Sequence, residues 1–133
     1  MPLVALRIRQ GNAFTVYALE ENGLCKLRDF LDAIPNRDLG VLMRLIDYIA
    51  NTGTLRNTEQ SKPIGDKLFE LRTTGGVRVF YFYDAGRLAI CTNGYIKKTD
   101  KLDPGEVDKA KILRMKYLAA KQDNTLEIRD ESI

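Results

Sequence analysis

The 133 residues carry 44% hydrophobic and 29% charged side chains with a net charge of +3, the balance of one globular domain that can bury a core without staples. No apolar run reaches the roughly 18 residues of a membrane span, and the opening MPLVALRIRQ lacks the apolar h-region and cleavage site of a signal peptide, so a cytoplasmic protein is expected. With no histidine and only two isolated cysteines, Cys25 and Cys91, a zinc or histidine-based metal site is close to excluded, no cofactor is expected, and both thiols read as core residues in a reducing compartment.

The chain opens with two β-like runs, Leu3–Arg9 and Ala13–Leu19, around Gln10-Gly11-Asn12, a hairpin or one bent edge strand. Leu24, Leu27, Leu31 and Ile34 then recur at helical spacing until Pro35 stops them. Asn36 is a candidate cap for a second helix with the stripe Leu39, Leu42, Met43, Ile46, Ile49 and Ala50, and Gly53 is its expected stop. The two helices read as a hairpin laid on one face of a sheet. Residues 54–66 are polar and marked by Pro and Gly, the expected pattern of a surface loop.

Three β-rich runs follow: Leu68–Thr73, Val77–Tyr83 and Arg87–Asn93. Thr74-Gly75-Gly76 and Asp84-Ala85-Gly86 divide them, which predicts an antiparallel meander. The middle run, VRVFYFY, is apolar on both alternating faces and belongs mid-sheet with something packed on each side. Asp103-Pro104-Gly105-Glu106 then offers a cap, a first-turn proline and a capping-box glutamate. The helix after it, to about Lys121, places Val107, Ala110, Leu113, Tyr117 and Leu118 inward and leaves a basic outer face. The domain is expected over residues 1–121, with residues 122–133 an acidic, disordered tail.

Charge is unevenly distributed. Residues 1–61 carry seven basic and seven acidic side chains, residues 62–121 carry thirteen against seven, and the last twelve carry one against four. A basic half built on the sheet suggests a polyanionic partner, although charge alone favours a solvated basic face. Arg72, Arg78, Lys97, Lys98 and Lys101 break the apolar fabric of that sheet.

The string KPIGDKLFELRTTGGVRVFYFYDAGRLAICTNGYIKKTDKLDPGEVDKA resembles the RelE/ParE toxin superfamily, nearest its HigB-like, phage-derived branch. The shared features are the K-P-x-G-x-x-L-x-E-L-R entry, the R-V-x-Y strand, and the G-[YF]-x-K-K-T-x-K exit before an acidic-Pro turn. The resemblance implies a single α+β, microbial-RNase-like domain: an antiparallel sheet, a two-helix hairpin on one face and a C-terminal helix. It also implies a type II toxin that cleaves mRNA on the ribosome, held in check by a co-encoded antitoxin of the helix-turn-helix kind. The same fold also serves ParE-like poisons of DNA gyrase, which catalyse nothing, and a phage-derived domain that only binds a partner stays open beside them.

Metal-free RNA cleavage uses the substrate's own 2′-OH, so the protein must orient the nucleotide, move a proton and stabilise phosphorane charge. Arginine suits the last task because its planar fork grips phosphate oxygens and stays ionised. The resemblance assigns Arg78 to the scissile phosphate and Lys97 or Lys98 to transition-state charge or proton transfer. Arg72, Tyr95 and Lys101 take RNA-binding roles, Tyr95 as a platform for a splayed base. Each has a structural alternative: Arg72 as a partner of Glu70, the lysines as a solvated turn, Tyr95 as core. The residue acting as general base is not identified, because the lysines that RelE carries before its arginine are replaced here by Leu68 and Glu70.

Overall fold

Val77–Asp84 forms β6, the strand on which two separate cores are built. Its alternation sends Val77, Val79 and Tyr81 to one side of the sheet and Phe80 and Phe82 to the other, each set joining its own apolar cluster. An all-apolar run in a central strand dictates this. The computed structural model describes residues 2–55 and 60–130.

The described elements run β1 (Leu3–Gln10), β2 (Thr15–Glu21), β3 (Leu24–Cys25), α1 (Lys26–Ala33), α2 (Asn36–Thr52), β4 (Ser61–Gly65), β5 (Leu68–Arg72), β6, β7 (Leu88–Ile96), α3 (Pro104–Gln122) and β8 (Glu127–Arg129). The sheet order is β4-β5-β6-β7-β2-β1-β8, with β3 paired to β2. The expected meander is present, since β5, β6 and β7 pair antiparallel in succession. The sheet as a whole is mixed rather than antiparallel: β2 runs parallel to β7, and β1 parallel to β8. Each parallel pair is joined by a long crossover that carries helix, as parallel pairing requires.

The helical hairpin covers the Val79 face through Leu27, Leu31, Leu42, Ile46 and Ile49. α1 begins two residues after Leu24, because Leu24 and Cys25 first pair with Glu21 and Glu20. The Cys25 sulfur then caps the helix, accepting from the Arg28 amide at 3.4 Å. Asn36 is the first helical residue of α2 rather than its cap; Pro35 holds the cap position without a side-chain bond. Gly53 ends α2 as expected, at φ 88° with its N–H on the Ile49 carbonyl. The carbonyl of Ala50, one of the last in α2, accepts from the amides of Ala13 (3.0 Å) and Phe14 (2.8 Å) in the β1–β2 turn. Helix end and hairpin turn therefore satisfy each other.

α3 covers the Phe80 face with Val107, Ala110, Leu113, Tyr117 and Ala120. Leu118, expected inward, is 40% exposed; the buried stripe passes from Tyr117 to Ala120 and leaves it one position off. Asp103 caps the helix by accepting from Gly105 and Glu106 at 2.9 and 3.2 Å. The Glu106 carboxylate goes to Lys109 and Asn93 instead of back to the cap. The helix end is clamped to β6, where Asp84 Oδ2 accepts from Tyr117 and Lys121, each at 2.6 Å. Burial alone would raise the Asp84 pKa, but these bonds outweigh it and hold the carboxyl below its usual range.

Two other expectations change. The second half of the 54–66 loop is β4, paired with β5; Pro63 is tolerated because β4 lies at the sheet edge. Residues 56–59 of that loop lie outside the described residues. The acidic tail is folded through residue 130: Thr125 N–H reaches the Ala120 carbonyl at 2.9 Å, Asn124 turns the chain at φ 57°, and β8 adds to β1. Residues 131–133 lie outside the description.

A Cβ on Gly11 would lie 2.3 Å from the Ala50 backbone, which cannot yield, whereas nothing lies within 4 Å of one on Gly40. Gly11→Ala should therefore cost at least about 1–3 kcal/mol in urea unfolding by overpacking. Gly40→Ala, inside α2, should gain roughly 0.4–1 kcal/mol. The Asp84 clamp contributes stability above the unfolded carboxyl pKa and loses it as pH falls through the lower folded pKa. Asp84→Asn should thus cost about 1–3 kcal/mol at neutral pH, with a loss that narrows on acidification.

Candidate active site

Strand register assembles the site from residues far apart in sequence. Arg72 on β5 stands opposite Arg78 on β6, and Arg78 opposite Tyr95 on β7, so one row crosses three strands. In the next row, Lys62 on β4 faces Glu70 on β5. Side-chain alternation puts these residues on the Phe80 face. They line a cavity of about 320 Å³ closed by Thr99, Lys101 and Leu102 of the β7–α3 connection. No residue of α3 lines it.

Two arginines directly opposite each other repel. Glu70 resolves this: its Oε1 lies 3.5 Å from Arg72 Nε and 3.7 Å from Arg78 Nε. Its Oε2 accepts a hydrogen bond from the Tyr95 hydroxyl at 3.2 Å. Glu70 and Arg78 are only 5% and 4% exposed. Arg78 Nη1 donates to the carbonyls of Thr73 (3.0 Å) and Val77 (2.9 Å), so the guanidinium also braces the β5–β6 turn. Nη2 is the part of the fork that none of these contacts occupies. Burial and then the neighbouring Arg72 draw the Arg78 pKa below its usual value, against the pull of Glu70. Burial and Glu70 push the Tyr95 phenol up, which keeps it a proton donor.

The expected site residues divide. Arg72, Arg78, Tyr95, Lys97 and Lys101 all line the cavity; Lys98 does not, and lines an adjacent groove instead. The Lys97 backbone N–H donates to the Gly76 carbonyl at 2.9 Å, fixing the root of the side chain, and its ammonium lies 3.4 Å from Asp100. Tyr95 is less free than a stacking platform: its ring packs on Phe80 with centroids 5.6 Å apart and its hydroxyl is held by Glu70.

Two residues were missed. Lys62 adds a further cation, so that five cations and two carboxylates line the cavity. Alternation in LFELR places Glu70 and Arg72 on one face, so local sequence makes Glu70 a partner for Arg72 alone. Its contact with Arg78 and Tyr95 depends on cross-strand register, which local sequence does not carry. Among the described residues no group of three or more His, Cys, Asp or Glu side chains could hold a metal ion. No described helix is long and apolar enough to cross a membrane.

The family model for phage-derived Gp49-like proteins (DUF891) matches residues 29–116, a span that includes the whole cavity. No curated protein matches the chain. Matched over more than half its length, the chain belongs to the phage-derived Gp49-like family, a RelE/ParE-like, toxin-related family.

Proposed function

We propose that the protein is the toxin of a type II toxin–antitoxin pair, of the HigB-like kind, and that it cleaves mRNA on the ribosome through the RNA 2′-OH. One observation carries this reading: a buried carboxylate, Glu70, meets Arg72, Arg78 and Tyr95 at the wall of a cation-rich cavity. A carboxylate flanked by phosphate-binding arginines supplies a base and an oxyanion clamp without a metal.

In this mechanism Glu70 takes the proton from the 2′-OH. The 2′-oxygen then forms a bond to the adjacent phosphorus as the bond from phosphorus to the 5′-oxygen breaks. Charge on the non-bridging oxygens falls to the guanidinium groups of Arg78 and Arg72, both of which line the cavity. Lys97 neutralises or protonates the departing 5′-oxygen, and the products are a 2′,3′-cyclic phosphate and a 5′-hydroxyl. Lys62 and Lys101 hold flanking phosphates. Lys98, outside the cavity, belongs to RNA or ribosome attraction rather than to the reacting atoms. The natural inhibitor is an antitoxin, of the helix-turn-helix kind, that covers or distorts the patch around Arg78 and Lys97.

Induction in cells should arrest growth and cut mRNAs in frame with codons, read by mapping new 5′-ends. Double-strand DNA breaks with intact mRNA would overturn the RNase reading in favour of a gyrase poison. Glu70→Gln keeps shape and the Tyr95 contact but removes both the base and the counterion of the two arginines, so with folding verified by urea unfolding it should lower cleavage about 10²–10⁴-fold. Arg78→Lys should lower it about 10²–10³-fold. The lysine form is the cleaner test, because Arg78→Ala would also strip the β5–β6 turn of two hydrogen bonds. Lys116→Ala, on the outer face of α3 and paired with Glu21 at 2.6 Å, should leave cleavage near wild type.

A further inference from the structure

Where α2 meets the β5–β6 turn lies a hollow of about 530 Å³, lined by Arg72, Arg78 and Lys97 together with Val41 and Leu45 of α2. The same three cations line the candidate active site. No carboxylate is among the described residues that line this second hollow. α2 reaches the turn directly: a Cβ on Gly75 would lie 2.5 Å from Asp38 Oδ1, so that carboxylate lies against the turn. From Val41 the outer side of α2 carries Arg37, Arg44 and Tyr48, spaced three and four residues apart along one stripe. Both arginines are exposed, and Tyr48 is 50% exposed.

These arginines differ from the other basic helix residues. On α3, Lys109, Lys111, Lys116 and Lys121 are each matched by a carboxylate at 2.6–3.0 Å. Among the described residues neither Arg37 nor Arg44 is in an ion pair. Asp47, three residues after Arg44, goes to Arg9 at 2.9 Å instead. Arg37 also stands in the first turn of α2, the end at which the helix dipole disfavours a cation. Helix stability therefore explains neither arginine.

Resting on the RNase reading, we infer that the substrate RNA continues from Arg78 round the β5–β6 turn and along the outer stripe of α2. Arg37 and Arg44 hold its phosphates, and Tyr48 stacks under one of its bases. Charge complementarity fixes the occupant. The hollow joins three cations to α2 without an opposing carboxylate, and the stripe extends that charge by two turns of helix, about 10 Å. Unpaired arginines interleaved with an exposed aromatic suit a single strand, which presents phosphates and unstacked bases together. The α3 lysines, already neutralised, attract a polyanion less.

The test measures binding of the full chain to uncleavable 2′-O-methyl RNA, a dinucleotide by NMR titration and an octamer by fluorescence anisotropy across a salt series. Arg37→Gln combined with Arg44→Gln should weaken the octamer on the order of tenfold at low salt and make its salt slope shallower by about 1.4. Tyr48→Ala should weaken it about tenfold with the slope unchanged. Arg37→Lys with Arg44→Lys should keep most of the affinity, because phosphate contacts need charge first. The dinucleotide should ignore all these α2 substitutions and respond to Arg78→Lys. An octamer that binds the glutamine variant as tightly as wild type overturns the proposal. So does an equal loss from Lys111→Gln with Lys116→Gln on α3. Octamer binding that depends on α2 while neither ligand responds to Arg78→Lys upholds the α2 track and sinks the active-site reading. If the α2 substitutions spare the octamer and instead weaken co-sedimentation with ribosomes or release a co-purifying antitoxin, the face serves that partner and the proposal fails.

Discussion

The contact of one buried carboxylate with two arginines is the constraint on which the site depends. Strand pairing forces Arg72 and Arg78 face to face, and removing such charges from water without a counterion would cost several kcal/mol. Glu70 supplies that counterion from the same strand as Arg72. It leaves one net positive charge in the triad of Arg72, Arg78 and Glu70. In the proposed function, fold stability and affinity for a phosphate are set by the same three side chains.

The two-sided sheet explains why the hollow is where it is. β6 needs cover on both faces, and α1–α2 supply it on one side while α3 supplies it on the other. α3 starts only after the connection from Lys97 to Asp103 has crossed the strand ends. The row Arg72, Arg78 and Tyr95 consequently lies on a rigid sheet yet is roofed by a loop. Rigid strands fix the charged groups, and loop residues such as Thr99 and Lys101 shape the opening.

How much of this could be read from the sequence follows from the range of each signal. β6 and the meander were legible because apolar alternation and Gly turns are local, as were the Gly53 stop and the Asp103 cap. β4 was not: Ser-Lys-Pro-Ile-Gly has loop chemistry, and it becomes a strand only because the edge of β5 is available to it. The parallel pairings of β2 with β7 and β1 with β8 join segments far apart in the chain, and no local pattern encodes them. At the candidate site, the family resemblance rather than composition or spacing points to Arg72, Arg78, Tyr95, Lys97 and Lys101, all of which line the cavity. Glu70 and Lys62 are hidden in register, and Lys98, which the motif pairs with Lys97, lies in the bend after β7 and lines the adjacent groove instead.

Arg78 shows why function and fold are hard to separate by deletion alone. Its Nη1 holds two carbonyls of the β5–β6 turn, and its Nε sits by Glu70. A side chain bonded in this way loses little entropy when it meets a phosphate, which is the condition for an electrostatic contribution to a transition state to be large. The same bonds make truncation at this position a structural change as well as a chemical one. Lys97 is the opposite case, with a backbone-anchored root and an ammonium near an exposed Asp100 that it can leave. In the proposed mechanism a braced arginine and a lysine at the cavity edge divide the work: one sets position, the other follows the charge as it moves to the leaving oxygen.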